Sequence, residues 1–161
     1  MLKIRAGTGY DIHRLERGGE LYIGGIPVSH ELHFVAHSDG DVLLHALIDA
    51  LLGASGQPDI GDLYPDSDPA YKGMASSVLL KNTLERLETA DYEVLNVDCT
   101  VVAQQPSLQP FKPLIRDNLA RMLKIPADAV GVKAKTREGL GEVGRGLAIE
   151  CYCICMIRSR K

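Results

Sequence analysis

His37-Ser38-Asp39-Gly40-Asp41-Val42-Leu43-Leu44-His45-Ala46 decides how this chain is read, because it joins a dense set of ionisable groups to the start of an apolar run. Ser38 and Asp41 have the S-x-x-D spacing of a capping box. The stretch therefore predicts a helix over residues 39–54, closed by Gly53 and Gly56. His45 falls one turn after Asp41, on the same face. His37, Asp39 and Asp41 crowd the opening turn, where free backbone N–H groups and the positive dipole end favour anions. A partner segment lies upstream in Gly9-Tyr10-Asp11-Ile12-His13. In a strand, Asp11 and His13 leave one face together; with His45 they make a two-histidine, one-carboxylate set.

That donor set suits Zn²⁺ with a fourth position open to water or substrate. It suits non-haem Fe(II) equally, so ligand type alone does not choose the metal. The plainer alternative is a turn-capping aspartate beside two hydrogen-bonded core histidines.

The 161 residues suit one domain spanning 1–161. The chain is 45% hydrophobic and 24% charged, with a net charge of −3, so broad attraction to nucleic acid or an anionic membrane is not expected. With no Trp and two Phe, platforms for stacking bases are scarce. No apolar run approaches the ~20 residues that span a bilayer, and the opening residues lack the apolar core of a signal peptide. Cys151, Cys153 and Cys155 alternate as on one strand face, unlike a zinc knuckle. With Cys99 they read as buried, reduced, structural thiols in a soluble protein of a reducing compartment.

Residues 2–13 read as a first strand, loosened by Gly7 and Gly9, and 20–29 as a hairpin turning on Gly24-Gly25. Residues 30–36 lead into the capped helix. Residues 57–73 hold three prolines, two glycines and four aspartates, so regular structure is not expected there. Ile60, Leu63, Tyr64 and Tyr71 argue against permanent disorder, and the segment reads as a mobile active-site flap. Helices follow at 76–90 and 110–123, and strands at 92–103, 130–135 and 147–157. The sum is an α+β domain on a mixed β-sheet.

Three further segments carry candidate chemistry. Asp59, Asp62, Asp66 and Asp68 suit Mg²⁺, or simply set turns. In the glycine-rich stretch 133–145, Lys135, Thr136, Arg137 and Arg145 can donate to phosphate, although surface hairpins look alike. Ala103-Gln104-Gln105-Pro106-Ser107-Leu108-Gln109-Pro110 can present backbone groups to a planar base, or merely connect a strand to a helix.

Together these segments resemble the 2-C-methyl-D-erythritol 2,4-cyclodiphosphate synthase family of the non-mevalonate isoprenoid pathway. The resemblance covers essentially the whole chain. It rests on residues 9–13, on 37–46 (a family signature), on Asp59-Ile60-Gly61 with Tyr64-Pro65-Asp66, on Asn96-Val97-Asp98 and on 134–146. It implies helices packed on one face of the sheet and a homotrimer with active sites between neighbouring subunits. It implies conversion of 4-diphosphocytidyl-2-C-methyl-D-erythritol 2-phosphate into the cyclic diphosphate and CMP. Matched by position, Asp11, His13 and His45 hold zinc, and His37 and Thr136 stabilise the transition state. Ser38, Asp59, Ile60, Gly61, Tyr64, Pro65, Asp66, Ser67 and Asp68 hold the methylerythritol portion. Ala103, Gln104, Gln105, Pro106, Ser107, Leu108, Gln109, Lys135 and Arg137 of the adjoining subunit hold the nucleotide, and Glu138 holds Mg²⁺ (or Mn²⁺) on the diphosphate.

The chain departs from the family at Ser107, where Lys or Arg is common. It departs again at Glu142, where many bacterial members have an aromatic residue, and at Leu147, which replaces an acid. Glu142 and Arg145 match positions near the trimer axis, where some members bind an isoprenoid diphosphate. The implied location is the bacterial cytoplasm, or the plastid stroma after removal of a transit peptide. Two other readings stand beside this one. An Fe(II) oxygenase usually shows H-x-D/E, whereas here the order is D-x-H. A trimeric metal- or nucleotide-binding regulator leaves the acidic flap, His37 and Thr136 without a use.

Overall fold

In β1 (Ile4–Arg17), side chains alternate between the two faces of the sheet. Gly7, Gly9, Asp11 and His13 therefore share the face that α1 (Val42–Ser55) covers. A Cβ at Gly7 would stand 2.0 Å from Ala50 O, and one at Gly9 would stand 1.8 Å from Ala46 O. Ala46, Ala50 and Ala54 recur four apart, on one helix face, and are fully buried. The two glycines thus admit the helix backbone directly onto the strand; they do not loosen it. The structure, a computed structural model, describes residues 3–65, 67–71 and 73–161.

β1 lies antiparallel between β4 (Leu32–Val35) and β7 (Ala148–Ser159). β5 (Tyr92–Val102) pairs antiparallel with β7 and parallel with β6 (Val130–Lys135), giving the mixed order β4-β1-β7-β5-β6. β2 (Leu21–Ile23) and β3 (Ile26–Ser29) form a separate hairpin. Its turn, Gly24-Gly25, has positive φ at both residues, which suits glycine. Leu79, Leu80 and Leu87 of α3 (Ser76–Thr89) and Ile115 and Leu119 of α4 (Lys112–Leu123) join α1 in one apolar core. The other sheet face leaves Tyr10, Ile12, Tyr152 and Ile154 exposed. Cys151, Cys153 and Cys155 point inward; these and Cys99 are buried and free. Among the described residues no helix is long and apolar enough to cross a membrane.

Several expectations need correction. β1 continues past His13 to Arg17 because Arg14–Arg17 pair with β4, a strand that the reading of residues 30–36 as a lead-in missed. Leu2, the expected strand start, lies outside the described residues. Residues 57–73 are not without regular structure: α2 (Ile60–Leu63) and a 3₁₀ turn at Pro69–Tyr71 lie within them. The stretch 136–146 contains α5 (Gly141–Gly144).

Candidate metal centre and active site

The helix that carries His45 is capped by Asp41, not Ser38, and begins at Val42, not 39. Fully buried, Asp41 accepts N–H bonds from Leu44 (3.1 Å), Gly24 (2.9 Å) and Gly25 (2.6 Å). Burial pushes its carboxyl up to about 6, against the pull of those three donors. Ser38 Oγ accepts from the Gly40 N–H at 3.1 Å and stands 3.2 Å from His45 Nε2. Asp39 accepts from the Asp41 and Ser76 N–H groups, at 3.2 and 3.0 Å, and from the Ser76 hydroxyl. The acids of this turn are thus committed to structure, and they are the anions that accept the Asp41 and Leu44 N–H groups at the helix start.

β1 and α1 bring three donor atoms together. Asp11 Oδ2 lies 2.9 Å from His13 Nε2 and 3.1 Å from His45 Nδ1, and the two ring nitrogens are 3.1 Å apart. Ligands 2.0–2.1 Å from a tetrahedral ion stand about 3.3 Å from one another, so the set fits a zinc-sized ion with little adjustment. It is the group of this kind found among the described residues. Burial alone would raise the Asp11 carboxyl, but hydrogen bonds from His13 and His45 overcome it and hold the group well below the usual range. Burial lowers His45, and Asp11 outweighs it and raises the ring. These opposite shifts mark an arrangement that favours the ionised carboxylate against a positive charge.

The triad forms part of the wall of a cavity of about 520 Å³ together with His37, Ser38, Ile60, Gly61, Tyr64 and Pro65. His37 Nε2 is buried without a hydrogen-bond partner among the described residues. Sequence reasoning missed Val35, Ala36 and Leu79 in the same wall, and named Tyr71 only as part of the active-site flap at 57–73. A signal existed for Tyr71, an aromatic in a polar loop, whose ring packs edge-on against Tyr64 at 5.3 Å. Asp59 caps α2 by accepting the Asp62 N–H at 2.9 Å. It lines a neighbouring hollow with Thr8 and Asp49 instead of the main cavity. Asp68 accepts the Ala70 N–H at 2.9 Å, a turn-setting role, and Ser67 is exposed. Asp66 lies outside the described residues.

The remaining candidates are elsewhere. Ala103, Gln104, Pro106, Ser107, Leu108, Gln109, Lys135 and Thr136 line a separate hollow of about 200 Å³ that shares no residue with the first. Gln105 packs against Gly146. Arg137 Nη2 reaches Glu150 Oε1 at 3.4 Å. Glu138, at φ 51°, accepts the Thr136 hydroxyl proton. Glu142 and Arg145 form an ion pair, and Leu147 is exposed. Within one chain, His37 and Thr136 are therefore not brought together.

Residues 4–158 match the YgbB family. A protein of Thioalkalivibrio sulfidiphilus named 2-C-methyl-D-erythritol 2,4-cyclodiphosphate synthase is 48% identical over 159 residues, which is 99% of this chain and 99% of that protein. The bifunctional IspDF of Campylobacter jejuni superposes with a TM-score of 0.95 at 36% identity, over 99% of this chain and 43% of that one. The CDP complex of IspF from Plasmodium falciparum does so with a TM-score of 0.86 at 33% identity, over 98% of this chain and 97% of that one.

Proposed function

Because the chain belongs to the YgbB family, we propose that it cyclises 4-diphosphocytidyl-2-C-methyl-D-erythritol 2-phosphate to 2-C-methyl-D-erythritol 2,4-cyclodiphosphate and releases CMP. The observation that carries this reading is one cavity holding three converging metal-type donors beside His37 Nε2, unpartnered among the described residues, and a wall of Ile60, Gly61, Tyr64 and Pro65.

In this reaction the substrate's own 2-phosphate oxygen bonds to its β-phosphorus while the bond to the CMP oxygen breaks. Nucleophile and electrophile share one molecule, so no covalent nucleophile is needed from the protein. The chain's task is to fold that molecule in line and to offset charge. Asp11, His13 and His45 would hold Zn²⁺, which when bound polarises phosphoryl oxygens. His37 Nε2 then finds its partner in a phosphate oxygen. Ser38, Ile60, Gly61, Tyr64 and Pro65 enclose the methylerythritol portion and exclude water, and Asp59, Asp66, Ser67 and Asp68 are assigned to the same portion.

The nucleotide half is assigned to residues 103–109 with Lys135, Thr136 and Arg137, and Glu138 to Mg²⁺ (or Mn²⁺) shared with the diphosphate. We place this half on a neighbouring subunit of a homotrimer. Two features support that assembly: the two hollows of one chain share no residue, and Tyr10, Ile12, Tyr152 and Ile154 leave an apolar sheet face bare. An isoprenoid diphosphate at Arg145 must displace Glu142 from its ion pair. The bacterial cytoplasm or a plastid stroma is the location proposed with this function.

Phosphorus NMR of the purified protein with the cytidine diphosphate substrate and Mg²⁺, with and without a zinc chelator, tests the reading. Chelator-sensitive appearance of cyclic diphosphate and CMP is the expected result. Unchanged substrate from folded, zinc-loaded protein would overturn it.

A further inference from the structure

Ser76, the first residue of α3, is fully buried and faces two polar groups at once. Its Oγ stands 2.8 Å from His45 Nε2. Its hydroxyl donates to Asp39 Oδ1, and its backbone N–H donates to Asp39 Oδ2 at 3.0 Å. The opposite ring nitrogen, His45 Nδ1, is the one that meets Asp11 and His13. A neutral imidazole that offers the Nδ1 lone pair carries its proton on Nε2. Ser76 has one hydroxyl proton, already given to a carboxylate, so its oxygen can only accept from His45. The direction of the chain is thereby fixed: Nε2–H to Ser76 Oγ, Ser76 O–H to Asp39. Ser38 Oγ also lies 3.2 Å from Nε2, but among the described residues its other contact is the Gly40 N–H, which offers its proton no acceptor.

We propose that Ser76 and Asp39 are a positioning dyad for His45, holding the ring in the tautomer and plane in which Nδ1 binds the metal. The inference rests on the metal-site reading above. It also gives the loop a mechanical link to the site. The loop's downstream end is tied to the same stretch by the Gly73 N–H on His37 O at 2.8 Å and the Asp39 N–H on Met74 O at 3.3 Å.

The test is Zn²⁺ affinity of metal-stripped protein, by competition with a chromophoric chelator, for wild type, Ser76→Ala, Asp39→Asn and the double variant. Loss of an outer-shell partner weakens metal binding about 10–100-fold, which is the range expected for Ser76→Ala. Asp39→Asn should weaken it about tenfold in the wild-type background. Because the two act in series, Asp39→Asn should add almost nothing once Ser76 is Ala, a non-additivity that a general packing defect would not produce. Circular dichroism and thermal melting establish that each stripped variant is folded. Wild-type affinity in Ser76→Ala, or losses that multiply in the double variant, overturns the dyad. If Ser76→Ala fails to fold, Asp39→Asn decides alone, and unchanged affinity overturns it. Zinc binding without turnover by the wild type would sink the cyclase reading and leave the dyad standing.

Discussion

Gly9→Ala puts one methyl group between β1 and α1. Its Cβ would stand 1.8 Å from Ala46 O and 2.7 Å from Ala50 N, both backbone atoms that no rotamer change can move. A non-bonded carbon–oxygen contact needs about 3.3 Å, so roughly 1.5 Å must come from α1 lifting off the strand or from β1 bending. His45 adjoins Ala46 on that helix, and Asp11 follows Gly9 by two residues on the same strand face. Metal ligand distances tolerate about 0.2 Å, so the displacement exceeds the tolerance several-fold. Overpacking of this kind costs about 1–3 kcal/mol. Zinc affinity is expected to fall by more than the ~10–100-fold that an outer-shell loss produces. Gly53→Ala is the contrast, since its Cβ meets only Thr8 O at 4.0 Å. It should gain about 0.5–1 kcal/mol from helix propensity with unchanged metal affinity. Urea denaturation of the stripped proteins and zinc competition measure both quantities. A Gly9→Ala protein with wild-type stability and wild-type zinc affinity would refute the close-approach argument.

Other perturbations separate the roles of neighbouring groups. Asp41→Ala removes a helix cap worth about 1 kcal/mol and strands the Gly24 and Gly25 N–H groups at about 1–3 kcal/mol each. A loss of about 3–7 kcal/mol in urea denaturation is expected, and less than 1 would contradict the assignment. His45→Ala should abolish stoichiometric zinc while leaving a folded protein; wild-type zinc content by elemental analysis would remove it from the ligand set. Thr136→Ala should slow turnover with little loss of metal, and an unchanged rate would remove its proposed role. The pH dependence of metal-free stability has two opposing parts. Asp41 sits at about 6 when folded, above its ordinary 3.8, so the native state binds the proton more tightly. Its contribution is therefore present below about pH 4 and lost as pH rises to about 6. Asp11 is lowered on folding, so its contribution is present above about pH 4 and lost as pH falls. Asp41→Asn should remove the first part alone; an identical slope in variant and wild type between pH 4 and 6 would refute it.

The periodic segments were legible because burial enforces period. Cys151, Cys153 and Cys155 alternate with exposed Tyr152, Ile154 and Met156, and the sequence reading placed them on one strand face accordingly. D-x-H in a strand and a histidine one turn into a helix were likewise enough to expect the triad, since both periodicities are local. The capping residue was not legible. Ser38 and Asp41 both fit a cap by type, and the choice was made by Gly24 and Gly25, whose N–H groups arrive from a distant hairpin. β4 escaped notice because four residues show too little alternation, and its partner is the far end of β1. Gly7 and Gly9 suggested looseness by type, while their use is close packing, which only the position of α1 reveals. Ser76 carried no local mark at all. Its contact with His45 spans 31 positions and depends on where the loop returns.

The proposed binding of zinc at the triad needs a chemical reason, because four free thiols lie buried in the core. β7 sets Cys151 opposite Asp11 and Cys153 opposite Gly9, and Cys153 Sγ is 3.0 Å from Cys99 Sγ and 3.9 Å from Cys151 Sγ. A thiol binds zinc as thiolate, so the cluster competes only if it can ionise. Hydrogen bonding to Cys99 and with Cys151, with burial added, holds Cys153 protonated far above the usual range. Burial pushes Cys155 up to about 11. Asp11 is shifted the opposite way, toward the charged form at every ordinary pH. Neighbouring elements therefore divide the work: β7 places apolar protonated sulfur beneath α1, and β1 with α1 places an ionised carboxylate and two imidazoles at the cavity wall. Cys151→Ala should then leave one zinc per chain with nearly unchanged affinity, and His45→Ala should not regain zinc through the thiols. Tight zinc binding by His45→Ala that disappears when Cys151 is also replaced would refute this division.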